Sequence, residues 1–233
     1  MRQIVLDTET TGLEVEQGHR IIEVGCVELI NRRRTGQTFH RYINPEREID
    51  GAAEQVHGIS REMLLSQPKF GEIAAELMGF IDGAELVIHN ADFDMGFLDQ
   101  EFQLAGQGFA DLRSRCTVID SLALARRLHP GQRNGLDALC KRYGVDNSSR
   151  DYHGALLDAQ LLADVYLAMT GGQAALQLDA APKVSVEVHH DVLDRQGVQL
   201  SVVRASEQEL AAHERFLEEI SRSCATGALW TRL

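Results

Sequence analysis

Long apolar runs are absent from this 233-residue chain, in which hydrophobic residues make up 44% and charged residues 25%. No stretch approaches the roughly 18–20 consecutive apolar residues that a membrane-spanning helix needs, so we do not expect an integral membrane protein. The N-terminus leads directly into a predicted strand, and we therefore expect no secretory signal. These features predict a cytoplasmic globular protein with enough apolar residues for a full core.

Cysteine is scarce as well. No two of the four cysteines lie close together in the sequence, which argues against a zinc site built from cysteine pairs. The four are Cys26, Cys116, Cys140 and Cys224. In a cytoplasmic protein we expect them to be reduced thiols in the core or on the surface.

Basic residues are outnumbered by acidic ones, since 23 Lys and Arg against 35 Asp and Glu give a net charge of −12. A chain this acidic does not offer the broad basic surface that binds nucleic acid non-specifically. If its substrate is a polyanion, either metal ions must bridge the repulsion locally or a partner must deliver the substrate.

Two carboxylates follow the first apolar stretch, Ile4 to Leu6. Asp7 and Glu9 are two residues apart, so on an extended strand both point to the same face. Convergent carboxylates repel each other at neutral pH unless a cation or a proton lies between them. Mg²⁺ prefers oxygen ligands of this kind. An isolated Asp-x-Glu is more often a solvated strand end, so the interpretation depends on acids elsewhere in the chain.

The order of predicted elements indicates an α/β protein. Apolar patterns and turn residues predict strands at 4–6, 20–30, 37–43, 85–89 and 117–120. They predict helices at 68–81, 94–104, 121–128, 134–143 (capped by Asn134) and 152–169, with a loop at 51–63. Short links between the first three strands predict an antiparallel meander. Strands that lead into helices predict that the later strands are parallel, in one mixed sheet.

Further acids lie where such a sheet places its sites, at the carboxyl ends of strands. Asp92 and Asp94 follow the fourth predicted strand, and Asp158 interrupts the apolar pattern of the helix at 152–169. On a regular helix His153 and Asp158 are ~140° apart, so both reach one site only if His153 lies on the entering loop or in the first turn. We interpret Asp120, at another strand end, as structural.

Four acids with a nearby histidine fit hydrolysis of a phosphodiester between two metal ions, with the histidine as general base. The arrangement resembles the exonuclease superfamily that is known by its Asp-Glu-Asp-Asp acids, in the branch with a catalytic histidine. The matching motifs are Asp7-Thr8-Glu9-Thr10-Thr11-Gly12, His89-Asn90-Ala91-Asp92-Phe93-Asp94 and His153-Gly154-Ala155-Leu156-Leu157-Asp158. Within that superfamily the chain is most similar to the proofreading subunits of bacterial replicative DNA polymerases.

The resemblance implies a ribonuclease H-like fold with a mixed five-stranded sheet flanked by helices, and 3′→5′ removal of mispaired nucleotides from DNA. It implies two divalent cations, Mg²⁺ or Mn²⁺, bound by Asp7, Glu9, Asp94 and Asp158, with His153 as the base. The residues implied to contact the substrate are Asp7, Glu9, Thr10, Val56, His57, Phe93 and Asp158. Asp92 falls at a variable position of the family's motif, and the role of its charge stays open.

The C-terminal part is predicted to be a docking tail rather than a second domain, because it has too little apolar periodicity to fold alone. The expected organisation is an exonuclease domain at 1–172, a flexible linker at 173–205 and a tail at 206–233. By resemblance, Gln173, Leu176 and Leu178 bind the sliding clamp. Phe216 and Trp230 bind the polymerase (alpha) subunit, and a small accessory subunit is a further expected partner. The helix from Ser206 could instead pack on its own domain.

Two other functions are compatible with the sequence. An RNA-trimming exonuclease of the same superfamily would share the four acids but would lack a long docking tail. A non-catalytic bridge between polymerase and clamp would not need an intact set of acids. Both alternatives can be separated from the first interpretation by a nuclease assay with metal ions and by polymerase binding.

Overall fold

A computed structural model of the chain describes residues 1–106, 112–148, 150, 152–171 and 204–223. The chain forms two compact units, Met1–Leu176 and Gln177–Leu233. The short strands expected between Val184 and Val202 lie outside the described residues. Gln173, Leu176, Leu178 and Trp230 also lie outside them.

A five-stranded mixed sheet forms the centre of the first unit. Its strands are β1 (Arg2–Thr10), β2 (Ile21–Ile30), β3 (Arg33–Tyr42), β4 (Glu85–Ile88) and β5 (Thr117–Asp120). The strand order is β3-β2-β1-β4-β5, with β1, β2 and β3 antiparallel and β1, β4 and β5 parallel. The predicted mixed sheet is therefore confirmed, and β1 is its central strand.

The turn between β2 and β3 is shorter than the sequence predicts. Asn31 and Arg32 both have positive φ, at 49° and 65°, so two residues close the hairpin. β3 consequently begins at Arg33, paired with Ile30, rather than at Gln37. The prediction failed because the first half of β3 is polar and exposed, and it has no alternation that marks a strand.

The described residues contain nine α-helices and one short 3₁₀ helix, Val15–Gln17. The α-helices are α1 (Gly51–His57), α2 (Arg61–Leu64), α3 (Phe70–Ile81), α4 (Ala91–Ala105), α5 (Leu112–Arg115), α6 (Ser121–Leu128), α7 (Leu136–Tyr143), α8 (Ala155–Thr170) and α9 (Glu207–Ser223). The predicted loop at 51–63 was wrong, because α1 and α2 are too short to show an apolar period. Asn134 does not cap α7; Gly135 is the N-cap, and the Asn134 amide donates to the carbonyls of His129 and Gln132.

The helices cover both faces of the sheet. On one face, Ile4 and Leu6 pack with buried residues of α3 and α4. On the other face, Val5 packs with residues of α6, α7 and α8. All three side chains are fully buried, and each such burial contributes about 1.5–3 kcal/mol of stability. The alternation fixes which helix layer each later residue of β1 faces.

Three of the cysteines, Cys26, Cys116 and Cys140, are buried free thiols. This agrees with the prediction of reduced cysteines, and burial raises the pKa of each thiol. Within the described ranges, no helix combines the length and the apolar character that crossing a membrane requires.

Candidate active site

The C-terminal end of β1 supplies the first two acids. Asp7 and Glu9 alternate with the buried Thr8 and Thr10, so they lie on the face that α8 covers. Asp7 is paired with Gly25 of β2 and Glu9 with Glu23. Neither position can move without breaking the central pair of the sheet. The two carboxylates are therefore held on one face by the backbone, as the sequence predicts.

The third acid comes from the other helix layer. Asp94 is buried in the first turn of α4 and reaches β1 at Thr8. Both the backbone N–H and the hydroxyl of Thr8 donate to Asp94 Oδ1, at 3.1 and 2.7 Å. α4 begins at Ala91, directly after Asn90 in a left-handed conformation with φ of 68°. This sharp entry into α4 brings Asp94 back toward the end of β1.

α8 is fitted closely against β2 at Gly25. A Cβ atom at this position would lie 2.2 Å from the backbone nitrogen of Leu156 and 2.3 Å from the carbonyl carbon of Ala155. The buried Glu23 carboxylate accepts the first N–H of the helix, from Ala155, at 3.1 Å. Its other oxygen lies 2.6 Å from Nε2 of His40. Glu23 thus satisfies an N–H that the helix itself leaves unpaired and fixes where α8 begins.

Asp158 and His153 meet at the start of α8. Asp158 is buried in the first turn of α8. His153 lies two residues before the first residue of α8, and its side chain is 45% exposed. His153 Nδ1 is 3.3 Å from Asp158 Oδ2, and the backbone N–H of His153 donates to the carbonyl of Val56 at 3.1 Å. His153 therefore lies on the loop that enters α8, which is one of the two positions from which the sequence predicts that His153 and Asp158 can reach one site.

These side chains form one cluster. One ligand atom each of Glu9, His153 and Asp158 lies within 4.8 Å of the other two. Asp94, Asp158 and Glu9 are the charges that most strongly oppose ionisation of Asp7. The structure therefore brings together all five residues that the sequence predicts as ligands and base. Carboxylate oxygens with an imidazole nitrogen are donors that suit Mg²⁺ or Mn²⁺.

Burial and mutual repulsion dominate the electrostatics of the cluster. Burial, followed by the charges of Asp158, Glu23 and Asp94, raises the pKa of Glu9 to about 8. Burial raises the pKa of Asp94 to about 7 against the hydrogen bonds from Thr8. Burial also raises the pKa of Asp7 well above its ordinary value. The carboxylates cannot all ionise at neutral pH unless positive charge is supplied.

A cavity of about 470 Å³ lies beside the acids. The predicted substrate residues Glu9, Thr10, Val56, His57 and Phe93 all line it. His57 Nδ1 accepts the N–H of Ile59 at 3.0 Å, so the neutral ring carries its proton on Nε2. Burial lowers the pKa of His57 and favours that neutral form. Asp7 and Asp158, the remaining predicted contacts, line a second cavity of about 910 Å³.

Asp92 and Asp120, the two other acids considered from the sequence, form interactions outside the acid cluster. Asp92 is exposed and pairs with Arg113 at 2.8 Å. Asp120 Oδ1 accepts the N–H groups of Leu122 and Ala123, at 2.8 and 3.0 Å, as the N-cap of α6. The structural interpretation of Asp120 agrees with this capping role.

Comparison with known proteins agrees with the site. Residues 4–166 match the model of a family described as exonuclease. DNA polymerase III subunit epsilon of Salmonella typhimurium is 51% identical over 98% of this chain and 97% of the relative. The Escherichia coli subunit is 50% identical with the same coverage, and that of Haemophilus influenzae is 46% identical, covering 99% and 95%. The chain belongs to the exonuclease family, among the epsilon subunits of DNA polymerase III.

Solved structures support the fold of this exonuclease family. Exonuclease I superposes with a TM-score of 0.64 at 16% identity, over 73% of this chain and 41% of its own. Exonuclease X, in complex with 5′ overhanging duplex DNA, superposes with a TM-score of 0.55 at 24% identity. The match covers 74% of this chain and 95% of the exonuclease X chain. At these identities the likeness concerns the fold alone. It confirms the prediction of an α/β, ribonuclease H-like architecture.

Family membership confirms the prediction of an enzyme, a proofreading 3′→5′ exonuclease of the epsilon type. Membership also implies dependence on a divalent metal, which the acid cluster fits. The individual roles given to the acids, to His153 and to the residues of the tail stay predictions.

Sequence reasoning missed two residues that the site of this exonuclease uses. Glu23 anchors α8, and the signal for it was an acid inside a mostly apolar strand. Arg150 contacts both Asp158 and His153. It lies in a polar stretch that resembles an ordinary loop, so only its position three residues before His153 could have drawn attention to it.

Proposed function

We propose that this chain removes mispaired 3′-terminal nucleotides from DNA, as the editing subunit of a replicative polymerase, by two-metal-ion hydrolysis. The observation that carries the proposal is the convergence of Asp7, Glu9, Asp94 and Asp158 on one point at the end of β1. The raised pKa values of Asp7, Glu9 and Asp94 indicate a site built to receive positive charge. A cytoplasmic location is part of the proposal.

The four acids would hold two divalent cations, Mg²⁺ or Mn²⁺. Bound there, such a pair supplies an activated water and stabilises the leaving oxygen of the phosphodiester. Thr8 contributes by fixing one oxygen of Asp94 through two hydrogen bonds, which sets the direction of the other oxygen. Glu23 contributes by fixing the start of α8 and thereby the depth of Asp158.

His153 would accept the proton of the attacking water. Its side chain is half-exposed, beside Asp158, while its backbone is tied to Val56. Imidazole is the side chain that most often serves as a general base in enzymes that work near neutral pH. Because Nδ1 faces Asp158, Nε2 is the atom directed to the water.

The cavity beside Glu9 would receive the terminal nucleotide. Phe93 offers a ring for stacking, and contact with Phe97, with ring centroids 5.0 Å apart, holds that ring in place. Val56 is 48% exposed at the cavity, and the buried, neutral ring of His57 forms part of the cavity wall. Preference for a mispaired end would arise because a mispaired end unpairs at lower cost, rather than from base-specific contacts.

The partners follow from the tail. The proposed division is an exonuclease domain at 1–172, a linker at 173–205 and a docking segment at 206–233. Gln173, Leu176 and Leu178 would bind the sliding clamp, and the docking segment would bind the polymerase alpha subunit. A small accessory subunit is a further proposed partner.

α9 supports the docking role of the segment. The helix starts with a capping box: Ser206 Oγ accepts the N–H of Glu209 at 3.3 Å, and the Glu209 carboxylate accepts the N–H of Ser206 at 2.8 Å. Phe216 on this helix is 60% exposed. An exposed aromatic on a capped helix is the kind of group that anchors an interface. Trp230 would be a second anchor.

A primer–template assay tests the proposal. We expect a 3′-mispaired primer to be shortened faster than a matched one in Mg²⁺ or Mn²⁺, and neither to be shortened in EDTA. A single-stranded RNA of the same sequence serves as the alternative substrate. Faster cleavage of RNA than of DNA would favour an RNA-trimming enzyme. No cleavage of either substrate, together with binding to the polymerase, would favour a non-catalytic bridge.

A further inference from the structure

Arg150 places a buried cation among the acids that the proposed function assigns to metal ions. Its side chain is only 6% exposed. Nε donates to Asp158 Oδ1 at 2.6 Å, and Nη2 donates to Asp158 Oδ2. The guanidinium therefore engages both oxygens of one proposed ligand in a bidentate pair, the strongest arrangement available to arginine and a carboxylate.

Two further contacts fix the same guanidinium. Nη1 donates to Asp137 Oδ1 at 2.5 Å, and Asp137 also accepts the amide of Asn147 at 3.0 Å. Nη2 lies 2.9 Å from Nδ1 of His153. Asp137 belongs to α7 and is exposed, so Arg150 joins the buried centre of the site to its rim.

The charge of Arg150 extends beyond Asp158. It opposes the effects that raise the pKa values of Asp7 and Glu9. A divalent cation at the same place would lower the pKa values of these two acids more strongly, since it carries twice the charge. However, a cation that takes an oxygen of Asp158 would lie within a few ångströms of the guanidinium, and the two positive charges would repel each other.

We propose that Arg150 is a positioning residue that serves as the counter-ion of Asp158 in the metal-free protein and is displaced from that carboxylate when a metal binds. The inference rests on the proposed function, because that function makes Asp158 a metal ligand. After displacement Asp137 still holds Nη1, so the guanidinium stays at the rim of the same cavity.

The displacement has a consequence for His153. While Nη2 of Arg150 donates to Nδ1, the neutral imidazole must carry its proton on Nε2. In that tautomer Nε2 cannot take a proton from water. Once Arg150 withdraws, Nδ1 can carry the proton and donate a hydrogen bond to Asp158 Oδ2, 3.3 Å away, which leaves Nε2 unprotonated and free to act as the base. Metal loading and activation of the base thus occur together.

Calorimetric titration of Mn²⁺ into the metal-free full-length protein, without DNA, tests the inference. Arg150→Met removes the charge and retains much of the side-chain volume. We expect it to bind Mn²⁺ at least fivefold more tightly than the parent protein, while its melting temperature in EDTA falls. If Arg150 only supports the loop that carries His153, the substitution will instead weaken Mn²⁺ binding or leave it unchanged, and the inference is overturned.

Arg34→Met is the matched control, because Arg34 pairs with another aspartate of α8, Asp164, at 2.9 Å. It should leave Mn²⁺ affinity unchanged. Arg150→Lys keeps the charge but cannot donate to both oxygens as a fork, so it should bind Mn²⁺ more tightly than the parent but less tightly than Arg150→Met. It also decides the question if Arg150→Met does not fold: affinity at or below that of the parent overturns the inference.

Failure of the proposed function would look different. In that case the parent protein itself would neither bind Mn²⁺ nor shorten a primer. A parent that binds Mn²⁺ and cleaves DNA, together with an Arg150→Met variant of unchanged affinity, would remove only the role of Arg150.

Discussion

At the scale of single residues, charge sets the behaviour of the site. Glu9 has an ordinary pKa of 4.5, which the folded protein raises to about 8. Between these values the folded state binds more protons than the unfolded state, so stability falls as the pH rises through that window. Asp94, raised to about 7, acts in the same direction from its ordinary value of 3.8. The loss is complete once the pH exceeds the folded pKa values.

We therefore expect the melting temperature in EDTA to decrease steadily from pH 5 to pH 8. Excess Mn²⁺ should remove most of this decrease, because the metal stabilises the ionised carboxylates. Differential scanning fluorimetry across this pH range measures both effects. The variant Asp7→Asn with Glu9→Gln serves as the control and should show a flatter profile. An equally steep profile in that variant would mean that other groups control the pH dependence.

Removal of the two acids of β1 should separate catalysis from stability. Asp7→Ala with Glu9→Ala should abolish nuclease activity, since two proposed metal ligands are lost. The fold should be as stable as that of the parent or more stable, because like charges no longer repel each other. Primer degradation and thermal melting in EDTA check the two statements. Activity at the level of the parent would rule out the two-metal mechanism.

His153→Ala distinguishes a base from a ligand. Turnover should decrease by roughly 10²–10⁴-fold, the usual contribution of a general base, while Mn²⁺ affinity measured by calorimetry changes little. Single-turnover degradation of a primer gives the rate. If affinity decreases together with the rate, His153 is a metal ligand and another group must act as the base.

The acids and His153 were predictable from sequence because each belongs to a short motif whose spacing carries the chemistry. Glu23 and Arg150 were not predictable in their roles. Glu23 accepts an N–H from Ala155, 132 residues later in the chain. Arg150 acquires its role only because α7 and α8 place Asp137 and Asp158 on either side of it. No local sequence pattern indicates that Glu23 contacts Ala155 or that Arg150 contacts Asp137 and Asp158.

At the scale of elements, the contact between α8 and β2 determines the position of Asp158. Gly25→Ala should disturb it, since the added Cβ would meet the backbone of Ala155 and Leu156 at 2.2–2.4 Å. Overpacking of this kind costs about 1–3 kcal/mol. We expect a lower melting temperature and at least a tenfold loss of nuclease activity. Gly79→Ala is the control, because a Cβ at Gly79 meets nothing within 4 Å in helix α3.

The control variant should be as stable as the parent or slightly more stable, since alanine favours a helix over glycine. Full activity in Gly25→Ala would show that α8 can shift without moving Asp158.

Elements with a strong apolar pattern could be predicted from the sequence, whereas elements without one could not. β1, β4 and β5 each contain two or three consecutive apolar residues, and α3 carries a clear apolar stripe, so their existence follows from local pattern. α1 buries only His57 and so has no apolar stripe, and it is held by distant contacts, among them the hydrogen bond from the N–H of His153 to the carbonyl of Val56. Its formation is decided by tertiary structure, which a local pattern does not record.

At the scale of the whole molecule, catalysis and recruitment are assigned to different parts of the chain. Every proposed ligand and the proposed base lie within residues 1–172, on β1, α4, α8 and the loop that enters α8. A net charge of −12 disfavours unassisted binding to DNA. A tail that binds both polymerase and clamp would solve this problem, because tethering raises the effective concentration of the enzyme at the primer end.

Truncation after Gly172 should therefore leave the hydrolysis of single-stranded DNA near the rate of the full chain, since no group of the site is removed. The truncated protein should fail to copurify with the polymerase subunit. In the full-length chain, Trp230→Ala alone should weaken that association, because an aromatic anchor contributes a large share of an interface's energy. Gln173→Ala with Leu178→Ala is the reciprocal control, and it should reduce clamp binding without affecting polymerase binding. Loss of folding or of catalysis in the truncated protein would mean that the tail belongs to the catalytic domain, and a tethered enzyme would no longer describe the molecule.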